Sequence, residues 1–199
     1  MNICIFGDSI AAGWNDYKYG GWAALLKEYL VKTTEKDVYN LAINGDFTNY
    51  LLTHLEPELQ ARDPEVVIFA IGINDSEYLA SHDRLLVSIK EFKSNLQKIY
   101  QISKKFTSKI IFVGLTRVEE SKTRPVSWDT DQDTEVHYNN KDIQEYDKVL
   151  KDFCQENDLE YLQMEDLLEI ADLGDGLHPT SQGHRKMFEK IKTAKYLLA

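Results

Sequence analysis

Cysteine is scarce in this chain: only Cys4, in an apolar run, and Cys154, in a helical pattern, are present. Two cysteines do not make the disulfide framework of a small secreted protein, so we expect both to be reduced core residues. The chain also lacks an apolar run near the ~20 residues that a membrane helix needs. Its N-terminus has neither a basic segment nor an apolar stretch long enough for export. These absences favour a cytoplasmic location.

Positive charge is also in short supply. The chain has 23 Lys and Arg residues against 33 Asp and Glu residues, a net charge of -10. Nucleic acids and anionic membranes both require a basic surface, so we expect neither as a partner. Neutral or weakly charged small molecules fit this surface better. A length of 199 residues with 43% hydrophobic content is enough for one compact domain without disulfides or metals as staples.

Short β-rich runs alternate along the chain with longer helical patterns. This alternation predicts an α/β protein with a five-stranded parallel sheet covered by helices on both faces. The predicted strands are residues 2–6, 38–43, 66–71, 110–115 and 160–163. The run 66–71 is continuously apolar, as expected for a strand buried on both faces at the centre of the sheet. A strand order of 2-1-3-4-5 satisfies the pattern and places a site beyond the carboxyl ends of the strands.

The helical patterns are clear except in one stretch. We predict helices over residues 22–30, 47–61, 85–99 and 139–153, a short helical segment over 164–171 and a final helix from Thr180. Pro57 is expected to kink or split the second of these. Residues 116–138 are rich in polar residues and show no convincing periodicity, which is typical of a functional lid or a disordered segment.

Residues that can carry chemistry follow three of the predicted strands. Ser9 ends the first strand just before a helix, where it is either a ligand-facing residue or a helix N-cap. Gly45 lies in a turn after the second strand, where its backbone N–H can approach a ligand. Asn74 follows the third strand, as an uncharged amide beside Ser9 or as an Asx-turn.

A fourth group follows the fifth strand, where Asp175 stands three residues before His178. The glycine between them and the proline after them make a rigid turn that can aim both side chains at one point. A serine needs a histidine as base to become nucleophilic, and the histidine needs a carboxylate to fix its tautomer.

The four groups together resemble the GDSL lipase/acylhydrolase family, also called SGNH hydrolases after Ser, Gly, Asn and His. The matching residues are Ser9, Gly45, Asn74 and His178, with Asp175 in the D-x-x-H position. Ile10 and Asp46 depart from the family pattern without affecting these matches. The resemblance implies a flavodoxin-like three-layer α/β/α sandwich, with residues 1–199 as a single SGNH-hydrolase-like domain. It also implies an oxyanion hole made by the Ser9 N–H, the Gly45 N–H and the Asn74 side chain.

From these residues we predict a serine esterase that cleaves carboxylic esters with small acyl groups, using Ser9, His178 and Asp175. No cofactor or metal is expected, and the substrate is a small-molecule or carbohydrate ester. Asp8, Trp14 and Trp128 are candidate substrate-binding residues, the tryptophans as an apolar wall or a sugar platform. Packing beneath a loop is the alternative role for both tryptophans.

Three other hypotheses remain open at this point. One is a catalytically silent module on the same fold that binds a glycan or a peptide. Flavin-binding and phosphoacceptor proteins share the topology, but the loop after the first strand and the Asn74-Asp75 pair do not suit them. A metal site would combine His178, His184 and Asp172, although their spacing matches no known ligand set. Asp172 is also an alternative partner for His178, but we expect it to point to solvent.

Overall fold

The computed structural model describes residues 2–34, 36–126 and 135–197. Its strands are β1 (Asn2–Gly7), β2 (Asp37–Asn40), β3 (Val66–Ala70), β4 (Tyr78–Leu79), β5 (Arg84–Leu85), β6 (Lys109–Val113), β7 (Val136–His137) and β8 (Glu160–Leu162). Five of them form one parallel sheet in the order β2-β1-β3-β6-β8. When only these five strands are numbered in chain order, the order is the predicted 2-1-3-4-5. Strand β3 lies at the centre of the sheet, as predicted.

Helices cover both faces of the large sheet. They are α1 (Ser9–Ala12), α2 (Gly21–Thr34), α3 (Thr48–Arg62), α4 (Ile89–Ser103), α5 (Glu120–Thr123), α6 (Asn140–Glu156) and α7 (Ser181–Ile191). Helices α2 and α7 pack together, while α3, α4 and α6 pack side by side as a second group. The predicted three-layer α/β/α sandwich is therefore confirmed. None of the helices in the described ranges is both long and apolar enough to cross a bilayer.

The core is built on the central strands, whose side chains are buried on both faces of the sheet. Phe69 of β3 stacks between Phe6 of β1 and Phe112 of β6, with ring centroids 5.6 and 5.1 Å away. Cys4 and Cys154 are free and fully buried in this core, as predicted. Burial raises the pKa of both thiols to about 12, so they are unreactive packing residues.

The register of β1 and β3 positions the candidate site. Gly7, the last residue of β1, pairs with Ala70, the last residue of β3. A Cβ at Gly7 would lie 2.4 Å from the Ala70 carbonyl oxygen, so only glycine allows this close approach. The two strands end at the same level, which brings the segments carrying Ser9 and Asn74 together.

The structure differs from the sequence predictions in several segments. The helix predicted over residues 85–99 begins at Ile89, and Leu85 lies in β5. Residues 116–138 include α5 and β7, and β7 joins β4 and β5 in a second, antiparallel sheet of order β5-β4-β7 that the sequence did not reveal. Helix α3 runs through Pro57 without a split. Residues 164–171 do not form a helix: a turn precedes a 3₁₀ turn at Ile170–Asp172.

Candidate active site

Ser9 is the first residue of α1, at the carboxyl end of β1. The N-cap is the preceding residue, Asp8, whose Oδ1 accepts a hydrogen bond from the Ile10 N–H at 2.9 Å. The alternative role of Ser9 as the helix N-cap is therefore wrong, and its hydroxyl is available for another partner. That partner is His178, whose Nε2 lies 2.8 Å from Ser9 Oγ.

The turn that carries His178 is held by Asp175. One carboxylate oxygen, Oδ1, accepts the backbone N–H groups of Leu177 at 3.0 Å and His178 at 2.8 Å. The other, Oδ2, lies 2.7 Å from His178 Nδ1. Gly176 permits the fold-back with a φ of +98°, and the Gly174 N–H closes the turn on the His178 carbonyl at 2.8 Å.

The charge of Asp175 determines the tautomer of His178. Burial by itself raises the pKa of Asp175, but the hydrogen bonds that it accepts from the His178 side chain and backbone outweigh burial. Its pKa therefore lies below the usual value, and the group is a carboxylate at neutral pH. A carboxylate only accepts hydrogen bonds, so Nδ1 carries the proton and the Nε2 lone pair faces Ser9.

Three hydrogen-bond donors border the same cleft as Ser9 Oγ. Within the described residues, the backbone N–H groups of Ser9 and Gly45 donate to no other group. Gly45 has a φ of +77° and open space where a side chain would stand. The Asn74 amide gives one of its two N–H bonds to the Asp46 carbonyl at 2.8 Å, which leaves the other for a ligand. Its Oδ1 accepts from the Tyr138 hydroxyl at 2.9 Å, so Asn74 does not form an Asx-turn.

The loops that carry Gly45 and Asn74 are tied together by Asp75. Its carboxylate accepts from the Thr48 backbone N–H at 3.1 Å and from the Thr48 hydroxyl, at the first turn of α3. The N-cap residue of α3, Phe47, has no side chain that can cap, so Asp75 supplies the missing acceptor from another loop. Burial raises the pKa of Asp75 to about 7.

The cleft has a volume of about 500 Å³. It is lined by Ser9, Trp14, Asn44, Gly45, Asn74, Tyr138, Asp175, Leu177 and His178. Trp14 is 43% exposed, and its ring lies 5.9 Å from the His178 ring, so this candidate substrate-binding residue does border the site. Asn44, Tyr138 and Leu177 were not anticipated. Asn44 and Leu177 adjoin predicted site residues, whereas no local pattern marks Tyr138.

Of the other two candidate substrate-binding residues, Asp8 is not among those that line the cleft. Asp8 is 3% exposed, caps α1, and borders a separate small pocket instead. Burial raises its pKa to about 7. Its expected contact with substrate is corrected to a structural role at the start of α1. Trp128 lies outside the described residues.

The proposed metal ligands are engaged elsewhere. His184 is buried, accepting from the Trp22 N–H at its Nδ1 and donating from its Nε2 to the Trp14 carbonyl at 3.0 Å. Asp172 is buried rather than solvent-facing, and it accepts from Lys186 Nζ at 2.6 Å. In the ranges that the structure describes, no three His, Cys, Asp or Glu side chains come close enough to hold a metal ion. His184 instead fixes the backbone beneath Trp14.

Comparison with known proteins places the chain among ester-cleaving enzymes. Residues 5–186 match the GDSL-like lipase/acylhydrolase family. A GDSL esterase/lipase of Arabidopsis thaliana is 28% identical over 116 residues, which are 57% of this chain and 47% of the plant protein. The chain thus spans about half of that relative's length. The human isoamyl acetate-hydrolyzing esterase 1 homolog is 24% identical over 204 residues, covering 95% of this chain and 79% of the human protein.

Solved structures share the fold at lower identity. A lipase/acylhydrolase from Enterococcus faecalis superposes with a TM-score of 0.77 at 22% identity, covering 96% of this chain and 92% of that one. The acetylxylan esterase Axe2 from Geobacillus stearothermophilus gives a TM-score of 0.74 at 19% identity, with the same coverage. At these identities the structures support the fold, while the match over residues 5–186 establishes the family. The chain belongs to the GDSL-like lipase/acylhydrolase family of serine ester hydrolases.

Proposed function

We propose that the protein hydrolyses carboxylic esters with Ser9 as nucleophile, His178 as general base and Asp175 as the residue that orients the histidine. The observation that carries the proposal is the unbroken chain of contacts from Ser9 Oγ to His178 Nε2 at 2.8 Å and from His178 Nδ1 to Asp175 Oδ2 at 2.7 Å. Ser9 lines the cleft, so the carbonyl group of a bound ester can reach the serine hydroxyl.

The proposed reaction has two steps. Ser9 Oγ attacks the carbonyl carbon as its proton passes to His178 Nε2, and the imidazolium that forms is stabilised by Asp175. The tetrahedral oxyanion accepts hydrogen bonds from the N–H groups of Ser9, Gly45 and Asn74. His178 then protonates the departing alcohol, which leaves an acyl group on Ser9. Water attacks this acyl-enzyme with His178 again as base and releases the acid.

The lining of the cleft favours a small acyl group and a polar alcohol. A long acyl chain needs a continuous apolar groove, but among the described residues that line the cleft only Leu177 has an aliphatic side chain. Asn44 supplies a polar side chain, and the exposed face of Trp14 can stack against a sugar ring. Two of the similar proteins are named for acetate esters, the human isoamyl acetate-hydrolyzing esterase homolog and the acetylxylan esterase. We therefore propose acetyl esters, including acetylated sugars, as the preferred substrates.

A similar protein supports the choice of residues. Structures of the G. stearothermophilus acetylxylan esterase with a serine, a histidine or an aspartate replaced are described as catalytic mutants. In that chain the aspartate precedes the histidine by three residues, the same spacing as Asp175 and His178 here.

Covalent labelling tests the nucleophile. A fluorophosphonate probe should label the wild-type protein, and Ser9→Ala should lose both the label and ester turnover while keeping its fold. Ser103→Ala is a matched control, because this buried serine donates to the Ile99 carbonyl within α4 and does not border the cleft. It should label like wild type. A wild-type protein that resists labelling would instead support the silent binding module.

A substrate panel tests the acyl preference. Nitrophenyl esters from acetyl to dodecanoyl, together with acetylated sugars, should show kcat/KM falling as the acyl chain lengthens. A preference for dodecanoyl esters would refute the small-acyl proposal without affecting the assignment of Ser9.

A further inference from the structure

We propose that Tyr138 is a positioning residue that holds the Asn74 amide in the orientation needed to donate to the oxyanion. The inference rests on the proposed function, because it assigns a partner to one of the oxyanion donors. It also gives the small antiparallel sheet a role, since this sheet brings Tyr138 to the cleft.

The orientation of the Asn74 amide matters because its two ends have opposite hydrogen-bonding character. Nδ2 donates, whereas Oδ1 only accepts and would repel an oxyanion. Nδ2 donates to the Asp46 carbonyl at 2.8 Å, and Oδ1 lies 2.9 Å from the Tyr138 hydroxyl oxygen. A flipped amide would place Oδ1 against the Asp46 carbonyl and Nδ2 against Tyr138. The present orientation is therefore held at both ends, by the Asp46 backbone carbonyl and by the Tyr138 side chain.

The Tyr138 hydroxyl has a second acceptor, Glu77 Oε2, at 2.8 Å. A phenol carries one proton, and Asn74 Oδ1 and Glu77 Oε2 share it in a three-centre hydrogen bond. Both contacts engage the phenol oxygen, so the hydroxyl is committed to the protein at the same time as its ring borders the cleft. Tyr138 is only 5% exposed, which makes it a supporting residue behind Asn74 more than a surface for substrate.

The small sheet determines where Tyr138 lies. Tyr78 of β4 pairs with His137 of β7 in antiparallel register, so Glu77 and Tyr138 stand opposite each other one residue further along. The Tyr138 backbone is also tied to Thr123: its N–H donates to the Thr123 carbonyl at 2.9 Å, and the Thr123 hydroxyl donates to its carbonyl at 2.8 Å. Residues 116–126, which the sequence left without structure, thus anchor the backbone of Tyr138.

The test is a double-mutant cycle on steady-state kinetics with nitrophenyl acetate. Tyr138→Phe removes only the hydroxyl and should lower kcat about 10-fold, part of the 10²–10³ that losing an oxyanion donor costs. KM should stay within about twofold, because the lost contact is not to substrate. In an Asn74→Ala background, Tyr138→Phe should cause less than about a twofold further loss, since the residue through which it acts is gone.

Two more variants complete the test. Tyr161→Phe removes another part-buried phenol hydroxyl, one that donates to Asp147 and does not border the cleft, and it should leave kcat unchanged. Thr123→Val loosens the Tyr138 backbone while keeping the phenol, and it should lower kcat about threefold only when Asn74 is present. If the Tyr138→Phe variant does not fold, Thr123→Val replaces it in the double-mutant cycle with Asn74→Ala.

The outcomes separate this inference from the proposed function. Equal losses from Tyr138→Phe with and without Asn74 would overturn the inference, and so would a rise in KM at constant kcat, which indicates substrate contact. If Asn74→Ala lowers kcat but Tyr138→Phe does not, only the positioning role fails. If Asn74→Ala leaves kcat unchanged, the proposed oxyanion hole itself is wrong.

Discussion

Replacing Asp175 by asparagine should be far more damaging than the loss of one charge suggests. Asp175 Oδ1 accepts two backbone N–H groups, those of Leu177 and His178. In the Asp175→Asn variant only the amide oxygen can take over both of these bonds. The amide NH₂ must then occupy the Oδ2 position, 2.7 Å from His178 Nδ1 in the wild type.

An NH₂ group in that position reverses the tautomer of the imidazole. It donates to Nδ1, so Nδ1 must be unprotonated and Nε2 must carry the proton. His178 Nε2 then cannot accept the Ser9 proton. In a serine protease with this arrangement, the corresponding aspartate-to-asparagine change lowers kcat about 10⁴-fold through the same wrong tautomer. Because the backbone contacts here dictate the amide orientation, we expect a loss close to that value and at least about 10-fold.

Asp172→Asn is the matched control, three residues earlier in the chain. Asp172 Oδ2 accepts from Lys186 Nζ at 2.6 Å and from the Glu169 N–H at 2.8 Å, and neither partner borders the cleft. Its replacement should keep kcat within about threefold of wild type. It should lower the midpoint of urea unfolding, because the 3₁₀ turn at Ile170–Asp172 loses a charge-assisted hydrogen bond.

Turnover of nitrophenyl acetate at pH 7 is the assay, with circular dichroism to verify that both variants are folded. If the folded Asp172→Asn variant loses more turnover than Asp175→Asn, the choice of orienting acid is wrong, although Ser9 and His178 could stand. If Asp175→Asn keeps more than about a tenth of wild-type kcat, the tautomer argument fails.

Three further predictions concern the oxyanion donors, a buried acid and the strand ends. Asn74→Ala should lower kcat by about 10²–10³ with little change in KM, and a change in KM alone would make Asn74 a binding residue. Burial raises the Asp8 pKa from 3.8 to about 7, so its stabilising contribution is complete below pH ~4 and is lost as the pH rises through 7. Asp8→Asn keeps the N-cap acceptor but cannot ionise. The free energy of unfolding of the Asp8→Asn variant, measured relative to wild type by urea titration, should rise by up to about 4 kcal/mol between pH 4 and 8. A difference that stays constant over this pH range would contradict the prediction. Gly7→Ala should cost more than about 3 kcal/mol of stability, because its Cβ meets the Ala70 oxygen; a thermal midpoint near wild type would refute this.

The large sheet could be predicted from the sequence because burial on both faces makes a strand apolar along its whole length. A run such as 66–71 is apolar throughout because both of its faces are covered, and the structure places Val66–Ala70 at the centre of the sheet. Strand ends in such a sheet lie on one edge, so residues far apart in the chain could be expected at one site. Ser9, Asn74 and His178 do border a single cleft.

The small sheet could not be predicted because its strands are too short to show a period. Tyr78–Leu79, Arg84–Leu85 and Val136–His137 have two residues each, fewer than the four that alternation needs. Tyr138 follows the last of them, so its place in the cleft depends on long-range pairing. Asp172 was misjudged for a related reason: its partner, Lys186, is 14 residues away on α7.

The proposed oxyanion donors Gly45 and Asn74 are held in place because their two loops are joined at more than one point. Asn74 donates to the Asp46 carbonyl, and the next residue, Asp75, caps α3 at Thr48. Asn95 of α4 also donates to the Thr48 hydroxyl at 2.9 Å, which links the junction to a second helix. A donor that is already in place costs no reorganisation when the oxyanion forms. Burying the Asp75 carboxyl group is the cost of this arrangement, and this burial raises its pKa to about 7. The same junction therefore accounts for the fixed position of the proposed donor Asn74 and for the burial of Asp75.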